Sequence, residues 1–408
     1  MKYIISIIIP THNRSQYAIS SIKSLLSIDN KGLEIIVSDT SNNKELFEFI
    51  ESLDKKNSSC HLNYFNPKTP LDMTGNHNAA MSAATGEYVC LIGDDDTVNP
   101  EIMNAVSWAK ENNIDIIAPN VVSNYAWPDF RSRFFGLGHA GRLYLPSQIN
   151  TFRWVDGKEA LEYGLKNACQ GTDNLPKIYH GIVKRSIMED LRKISGNYFH
   201  GSSPDVSGAI GLAIWLTDHK KKFLIVDYPL TIPGASGGSN TGRSAINKHK
   251  GKLHQEEQTK AFEKSGWSSG VPRFFSVETV WAHAAIETIN KLKPEYLSHF
   301  NFPRLLAACQ SLHSEYKIEI ENEIVISAKI NQDPVNSTLK KITSEKLHLS
   351  VKKLFYILKR SIHPTASGGR KFAKNISNIE EAQIALKINL EANNIQWSSF
   401  KKNIIIDQ

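Results

Sequence analysis

"EYVCLIGDDDTVNP", residues 87–100, runs from an apolar stretch directly into three consecutive carboxylates. At a spacing of ~5 Å and an effective dielectric near 20, each adjacent pair of charges repels by roughly 3 kcal/mol. Asp94, Asp95 and Asp96 therefore need abundant water, a capping role at a helix, or a cation that neutralises them. The apolar run ahead of them has the length and composition of a buried strand. The triplet then stands at that strand's carboxyl end.

Working outward, the same arrangement recurs. "IISIII" (4–9) is a β-branched run that stops at Pro10, "LEIIVSD" (33–39) stops at Asp39, and "CHLNYFN" (60–66) and "IDIIAPNVV" (114–122) are further strand candidates. Between them, "RSQYAISSIKSLLSI" (14–28), "KELFEFIESL" (44–53), "GNHNAAMSAAT" (75–85) and "PEIMNAVSWAKENN" (100–113) are helix candidates. Ser15 is the expected N-cap of the first. This alternation predicts an α/β fold, a doubly wound and mostly parallel Rossmann-like sheet. In such sheets ligands sit beyond the carboxyl ends of the strands. Thr11, Asp39 and Asp94–Asp96 all fall on that rim.

Residues 124–178 carry aromatics, glycines and arginines without a clear period, which suits a long active-site loop region or a partner-facing insertion. "KIYHGIVKRSIMEDL" (177–191) is strand then helix. "SSPDVSGAIGLAIWL" (202–216) opens a helix with Ser203 as N-cap, Pro204 first and Asp205 in the first turn. "KFLIVDYPLTI" (222–232) is a strand, and "PGASGGSNTGR" (233–243) is expected to be a flexible loop. Beyond about residue 245 the pattern is helical.

The chain has 408 residues, 41% of them apolar and 22% charged, which suits a packed core and either two domains or one large domain with an appendage. The four cysteines, at 60, 90, 169 and 309, form no CxxC pair, so neither a disulfide framework nor a zinc site is indicated. The N-terminal apolar run is too short for a signal peptide. No stretch approaches the ~20 apolar residues of a membrane-spanning helix. A soluble or peripheral cytoplasmic protein is expected, with contact to the inner face of the membrane left open. The net charge of +7 is uneven: residues 340–374 hold ten Lys or Arg and one acid, Glu345, so the rest of the chain is slightly acidic.

The residues also exclude two kinds of phosphate binder. There is no GxxxxGK[ST] loop, and no GxGxxG follows the first strand. A nucleotide would have to be held by side chains and a metal. An acidic cluster at a strand end suits Mg2+ or Mn2+, hard ions that take oxygen ligands and keep open positions for substrate phosphates. An N-cap and turn cluster is the competing reading.

Taken together and in order, "SIIIPTHNR", "EIIVSDTSNN", "GNHNAAMSAATGEYVCLIGDDDTVNP" and "SSPD" resemble the signature segments of family 2 glycosyltransferases with the GT-A fold, over roughly residues 4–240. The resemblance implies an inverting, metal-dependent transfer from a nucleotide-diphosphate sugar, most simply a UDP-sugar, to a glycan or lipid-linked acceptor in cell-surface polysaccharide synthesis. It implies that Pro10, Thr11, Asn13 and Arg14 line the base and ribose, and that Asp39 accepts a hydrogen bond from the base. Ser38 departs from the usual pair of acids there. Gly75 and Asn78 belong to the donor-binding helix, where His77 stands in place of the family's arginine. Asp94 faces the ribose and, with Asp96, holds Mn2+ or Mg2+; Asp95 lies between them. Asp205 is the general base that deprotonates the acceptor hydroxyl, with Asp173 as a weaker alternative. His180 and His200 are further candidates for substrate or metal contact, against the commoner structural role of a lone histidine. Loop 233–243 could close as a lid, bringing Arg243 toward a phosphate.

The implied organisation is a catalytic domain over 1–244 and a mostly helical region over 245–408 that contains the basic segment 340–374. In residues 346–362, apolar and basic positions segregate at helical spacing. That suits either peripheral contact with anionic lipid or a helix packed on its own domain with a solvated lysine face. No module for nucleic acid surrounds the basic run, and a homo-oligomer is allowed. Two other readings stand beside the transferase: a non-catalytic sugar- or polymer-binding module, and a sugar-1-phosphate nucleotidyltransferase. The latter lacks its glycine-rich N-terminal phosphate loop here.

Overall fold

The run at residues 4–9 becomes a central strand because both of its faces are covered. In the computed structural model, which describes residues 3–28, 30–53, 59–67, 69–147, 149, 151–264 and 266–406, β1 (Ile5–Thr11) is buried at every position. Ile5, Ile7 and Ile9 face one apolar layer and Ile8 the other. Each fully buried isoleucine contributes roughly 1.5–3 kcal/mol. A strand covered on both faces reads as a continuous apolar run.

Seven more strands complete the main sheet: β2 (Leu33–Asp39), β3 (His61–Phe65), β4 (Tyr88–Leu91), β5 (Ile116–Pro119), β6 (Phe152–Asp156), β7 (Ile182–Lys184) and β8 (Lys222–Val226). Their order is β3-β2-β1-β4-β7-β5-β8-β6. β7 and β6 run against the other six, so the sheet is mostly parallel, as the alternation predicts. Helices α1 (Ser15–Leu26), α2 (Glu45–Ser52) and α4 (Ile102–Glu111) cover one face. Helices α3 (Met73–Ser82), α5 (Gly157–Lys166), α6 (Arg185–Ser195) and α7 (Pro204–Asp218) cover the other. α7 is apolar nearly all round because it is sandwiched between the sheet and the long helix α9 (Val277–Leu292).

Three sequence-based expectations are corrected. α1 begins at Ser15 itself, with Arg14 at the cap position and no side-chain cap. Asn13, in the left-handed region at φ 55°, turns the chain so that Arg14 points inward, and Ser15 Oγ instead donates to Asn43 Oδ1. Residues 124–178 are not one long loop. They contribute β6, α5 and two strands of a second sheet, ordered Gly234–Ala235, Asn124–Ala126, Arg142–Tyr144, Phe372–Ala373. Strands of two or three residues whose partners lie elsewhere in the chain leave no local period to read. Residues 233–243 are likewise built into this sheet and a short helix, α8 (Asn240–Ala245), rather than forming a flexible loop.

After α9 come α10 (Phe302–Leu312), α11 (Lys317–Ile330) and α12 (Val335–Ile362). The chain then returns: α13 (Ile379–Ala392) packs on α1, and α14 (Trp397–Phe400) buries Trp397 beside α4. Among the described residues no helix is long and apolar enough to cross a membrane.

Candidate active site

β1 turns toward β2 on one side and has β4 on its other side, so the connections diverge between β1 and β4. That is the kind of crevice where doubly wound sheets bind ligands. Thr11 ends β1, and Asp94 lies just past β4. Thr11 Oγ1 donates to Asp94 Oδ2 at 2.7 Å, so the two strand ends are joined across the crevice. Arg14 Nε donates to Asp94 Oδ1 at 2.8 Å, and its Nη2 lies 3.0 Å from Asp95 Oδ2. One guanidinium therefore spans two carboxylates of the triplet.

Residues 231–245 close over the third side as a strap. Thr231–Ile232 pairs antiparallel with Thr97–Val98, and Gly234–Ala235 pairs parallel with Tyr125–Ala126. Ser236 donates to Asp95 Oδ2 from its hydroxyl (2.6 Å) and its amide (3.1 Å), and receives a bond from Arg14 Nη2. Position 234 must be glycine: a Cβ there would sit 1.8 Å from the Asp95 carbonyl oxygen.

The three aspartates are thus held in three different environments. Burial pushes the Asp94 carboxyl above its ordinary range, against the pull of Arg14. Burial, then the neighbouring Asp96 charge, pushes Asp95 up to about 7. Asp96 goes the other way: burial would raise it, but His180 and a set of donors hold it below its ordinary value. Gly93 N and Tyr179 Oη donate to Asp96 Oδ2 at 2.6 and 2.8 Å, and Gly234 N donates to Oδ1 at 2.6 Å.

His180 Nε2 lies 3.1 Å from Asp96 Oδ2. Neither ring nitrogen of this buried imidazole makes a hydrogen bond. A separation of about 3 Å is that of adjacent ligands on one six-coordinate ion with bonds of about 2.1 Å. Asp96 and His180 therefore fit a divalent ion that arrives with its substrate phosphates. Among the described residues no three His, Cys, Asp or Glu side chains are arranged to hold an ion by themselves, which is the usual situation for Mg2+ in phosphate sites. Of the sequence candidates, Asp94 is the one engaged by Thr11 and Arg14 instead.

The cleft in front of the triplet has a volume of about 690 Å3, within the range of small-molecule sites. Pro10, Thr11, Arg14, Asp94 and Asp95 line it from the sheet side, and Asp205 lines it from the N-terminus of α7. Asp205 is half-buried, follows the N-cap Ser203 and Pro204, and accepts a hydrogen bond from Ser203 Oγ. An adjoining hollow of about 220 Å3 is lined by Asp96, Lys177, Tyr179, His180 and again Asp205.

Other sequence candidates are placed elsewhere. Asp39 accepts from Ser41 N and Tyr64 Oη and holds the turn after β2. Asn13 braces the same turn through Ser41 and Asn42. Gly75 N donates to the α3 cap Asp72. Asn78 clamps the backbone of Tyr198 and Phe199 with three hydrogen bonds. Asp173 is exposed and lines neither hollow. His200 bonds Ser195, and burial lowers it to about 4. Arg243 pairs with Glu256 at 2.7 Å. Residues that sequence reasoning missed include Ser236, Tyr179, Lys177, His249 and Trp281. His77, next to Asp205 in the cleft, is lowered to about 4 by burial and is thereby kept neutral. The dense glycines of the strap were the available signal for Ser236; nothing local marked the others.

Residues 6–155 match the family described as Glycosyl transferase family 2. Over 93 residues the chain is 36% identical to a GalNAc(5)-diNAcBac-PP-undecaprenol beta-1,3-glucosyltransferase of Campylobacter jejuni subsp. jejuni; the match covers 22% of this chain and 29% of that protein's length. Among solved structures, S. aureus TarS 1-349 in complex with UDP-GlcNAc is similar at 14% identity with a TM-score of 0.43, covering 84% of this chain and 89% of that one. The mannosyltransferase PcManGT of Pyrobaculum calidifontis, in complex with GDP-Man and Mn2+, is a remote likeness at 13% identity and a TM-score of 0.37, covering 85% and 88%.

Proposed function

We propose, from the match of residues 6–155 to the family described as Glycosyl transferase family 2, that this chain transfers a sugar, with inversion, from a nucleotide-diphosphate donor to a hydroxyl of a glycan or lipid-linked acceptor. A UDP-sugar is the proposed donor, and synthesis of a cell-surface polysaccharide the proposed setting. The observation that carries the reading is that Asp205 faces the whole acidic triplet, lining the large cleft with Asp94 and Asp95 and the adjoining hollow with Asp96, although it comes from a segment more than a hundred residues away. A lipid-linked acceptor is favoured by the name of the C. jejuni relative. In this reading residues 1–244 form the catalytic domain and 245–408 a helical region that supplies one wall of the cleft through Val277, Val280 and Trp281.

Thr11 and Asp94 hold the ribose end of the donor. The buried Arg14 Nη1, which has no partner, faces the diphosphate. Asp96 and His180 would hold a divalent ion, with Asp94 kept in place next to them by Thr11 and Arg14. Mn2+ or Mg2+ bound there would neutralise charge on the departing diphosphate. Asp205 takes the proton of the acceptor hydroxyl as that oxygen attacks the anomeric carbon. Asp205 stands in the first turn of α7, and His77 beside it is kept neutral by burial.

Donor hydrolysis and transfer, measured over a panel of nucleotide-sugars with Mn2+, test the proposal. Asp205→Asn is expected to lower kcat by about 10²–10⁴-fold with little change in the donor KM. A variant with undiminished turnover removes Asp205 from this role. Failure of every donor to be turned over favours the sugar-binding module instead.

A further inference from the structure

The outer half of α12 is exposed on all sides from Ser350 to Lys359, whereas its inner half packs through Thr338 and Ile342. Leu347, Val351, Leu354, Phe355, Leu358 and Ile362 lie in a single stripe about 100° wide at 3.6 residues per turn. Phe355 is 68% exposed and Ile362 71%. The stripe faces away from the packed side of the helix, where Ile342 and Leu349 meet the core. Lys352 and Lys359 border one edge of it, and Lys346 and Lys353 the other.

A second element stands beside it. The segment Arg131–Gly138 carries Phe134, 84% exposed, and exposed Leu137, preceded by exposed Arg131 and Arg133. The Arg360 guanidinium at the end of α12 covers the Phe135 ring at 5.2 Å, so loop and helix end are neighbours. The same loop is tied to the strap: Arg133 N donates to Ala245 O at 2.9 Å, and Gly237 N donates to Asp129 Oδ2 at 3.0 Å.

We propose that the α12 stripe docks on an anionic lipid bilayer, with the Phe134 loop beside the end of the helix. The apolar side chains enter the headgroup–acyl boundary, and the flanking lysines and arginines meet lipid phosphates. Charge decides against a second copy of the chain as occupant. Residues 346–362 hold no acid, and Glu345 is already paired with Arg304 at 2.8 Å. Two such stripes seated together would set lysine against lysine, where paired helices need opposite charges at their flanks. A negatively charged surface satisfies both edges at once. The docking does not rest on the lipid-linked acceptor proposed above.

The test is co-sedimentation of the full chain with vesicles of phosphatidylcholine containing phosphatidylglycerol, and with vesicles of phosphatidylcholine alone. Binding is expected to the anionic vesicles and to weaken as salt screens the lysines. The double variant Lys352→Glu/Lys353→Glu is expected to bind about tenfold more weakly or worse. Leu354→Asp/Phe355→Asp is expected to abolish binding, and Phe134→Ser to weaken it with α12 intact. These side chains are exposed, so circular dichroism and thermal melting should show the fold kept. Equal binding to both vesicle types, full binding by Leu354→Asp/Phe355→Asp, or no binding by the unaltered chain overturns the proposal. So does sedimentation equilibrium showing a dimer that Leu354→Asp dissociates while the vesicles are ignored. Hydrolysis of a soluble donor needs no vesicle, so failure here and failure of the glycosyl-transfer reading are separately visible.

Discussion

Arg14 Nη2 lies 3.0 Å from Asp95 Oδ2 while the same guanidinium donates to Asp94. Without it two buried carboxylates would face each other uncompensated. Arg14→Met is therefore expected to destabilise the chain by about 3–5 kcal/mol, the range for removing one partner of a buried ion pair, read from urea unfolding. Arg14→Lys should recover only part of the loss, because one ammonium cannot span both carboxylates. Unchanged unfolding in Arg14→Met would show that the carboxylates are solvated instead.

Gly234 lies where any Cβ would meet the Asp95 carbonyl oxygen at 1.8 Å. Gly234→Ala must push the strap off the triplet, breaking the bonds from Gly234 N and Ser236. We expect a stability loss of about 1–3 kcal/mol together with weaker UDP binding by calorimetry. A variant that binds UDP as the parent does would separate the strap from the donor site.

Asn78 occupies a position that the family resemblance assigns to donor binding, yet its amide is used up on the backbone of Tyr198 and Phe199. Asn78→Ala should lower stability by about 2–4 kcal/mol through unsatisfied buried groups, and leave UDP affinity as it was. Loss of UDP binding in a variant that melts normally would return Asn78 to the donor site.

His180 makes no hydrogen bond, yet it stands 3.1 Å from Asp96. If both hold the ion, His180→Ala should weaken Mn2+ binding in the presence of UDP by about tenfold or more, measured by calorimetry or electron paramagnetic resonance. Asp96→Ala should remove it. Equal Mn2+ affinity in His180→Ala and the parent would exclude the imidazole as a ligand.

His283 accepts at Nδ1 from Ser268 and is stacked on Trp267, and burial depresses it to about 3. The folded chain keeps it neutral, whereas the unfolded chain protonates near pH 6.5. Stability from this group is full above pH 6.5 and falls as the pH drops from there toward 3, by roughly 1.4 kcal/mol per unit. His77, lowered to about 4, acts in the same sense. His283→Gln should flatten the dependence between pH 7 and 5 in denaturant titrations; an unaltered slope would show that the ring already titrates in the folded state.

The sequence by itself determined the elements whose signals are local. The β-branched runs ending at Pro10 and Asp39 became adjacent parallel strands, because strand burial on both faces writes itself as an apolar run. The Ser203-Pro204-Asp205 start of α7 was legible because helix entry is set by consecutive residues. Only the tertiary structure decided what the polar groups do there. Arg14 and Ser236 are 222 positions apart and bond at 2.8 Å; the strap and the Phe134 loop take their shape from strands with distant partners; Asp39 and Asn78 face protein donors because of where a turn and a second helix happen to pass. A carboxylate or an amide looks the same in sequence whether it meets a substrate or a backbone amide. The difference is made by contacts that form only when the chain closes on itself.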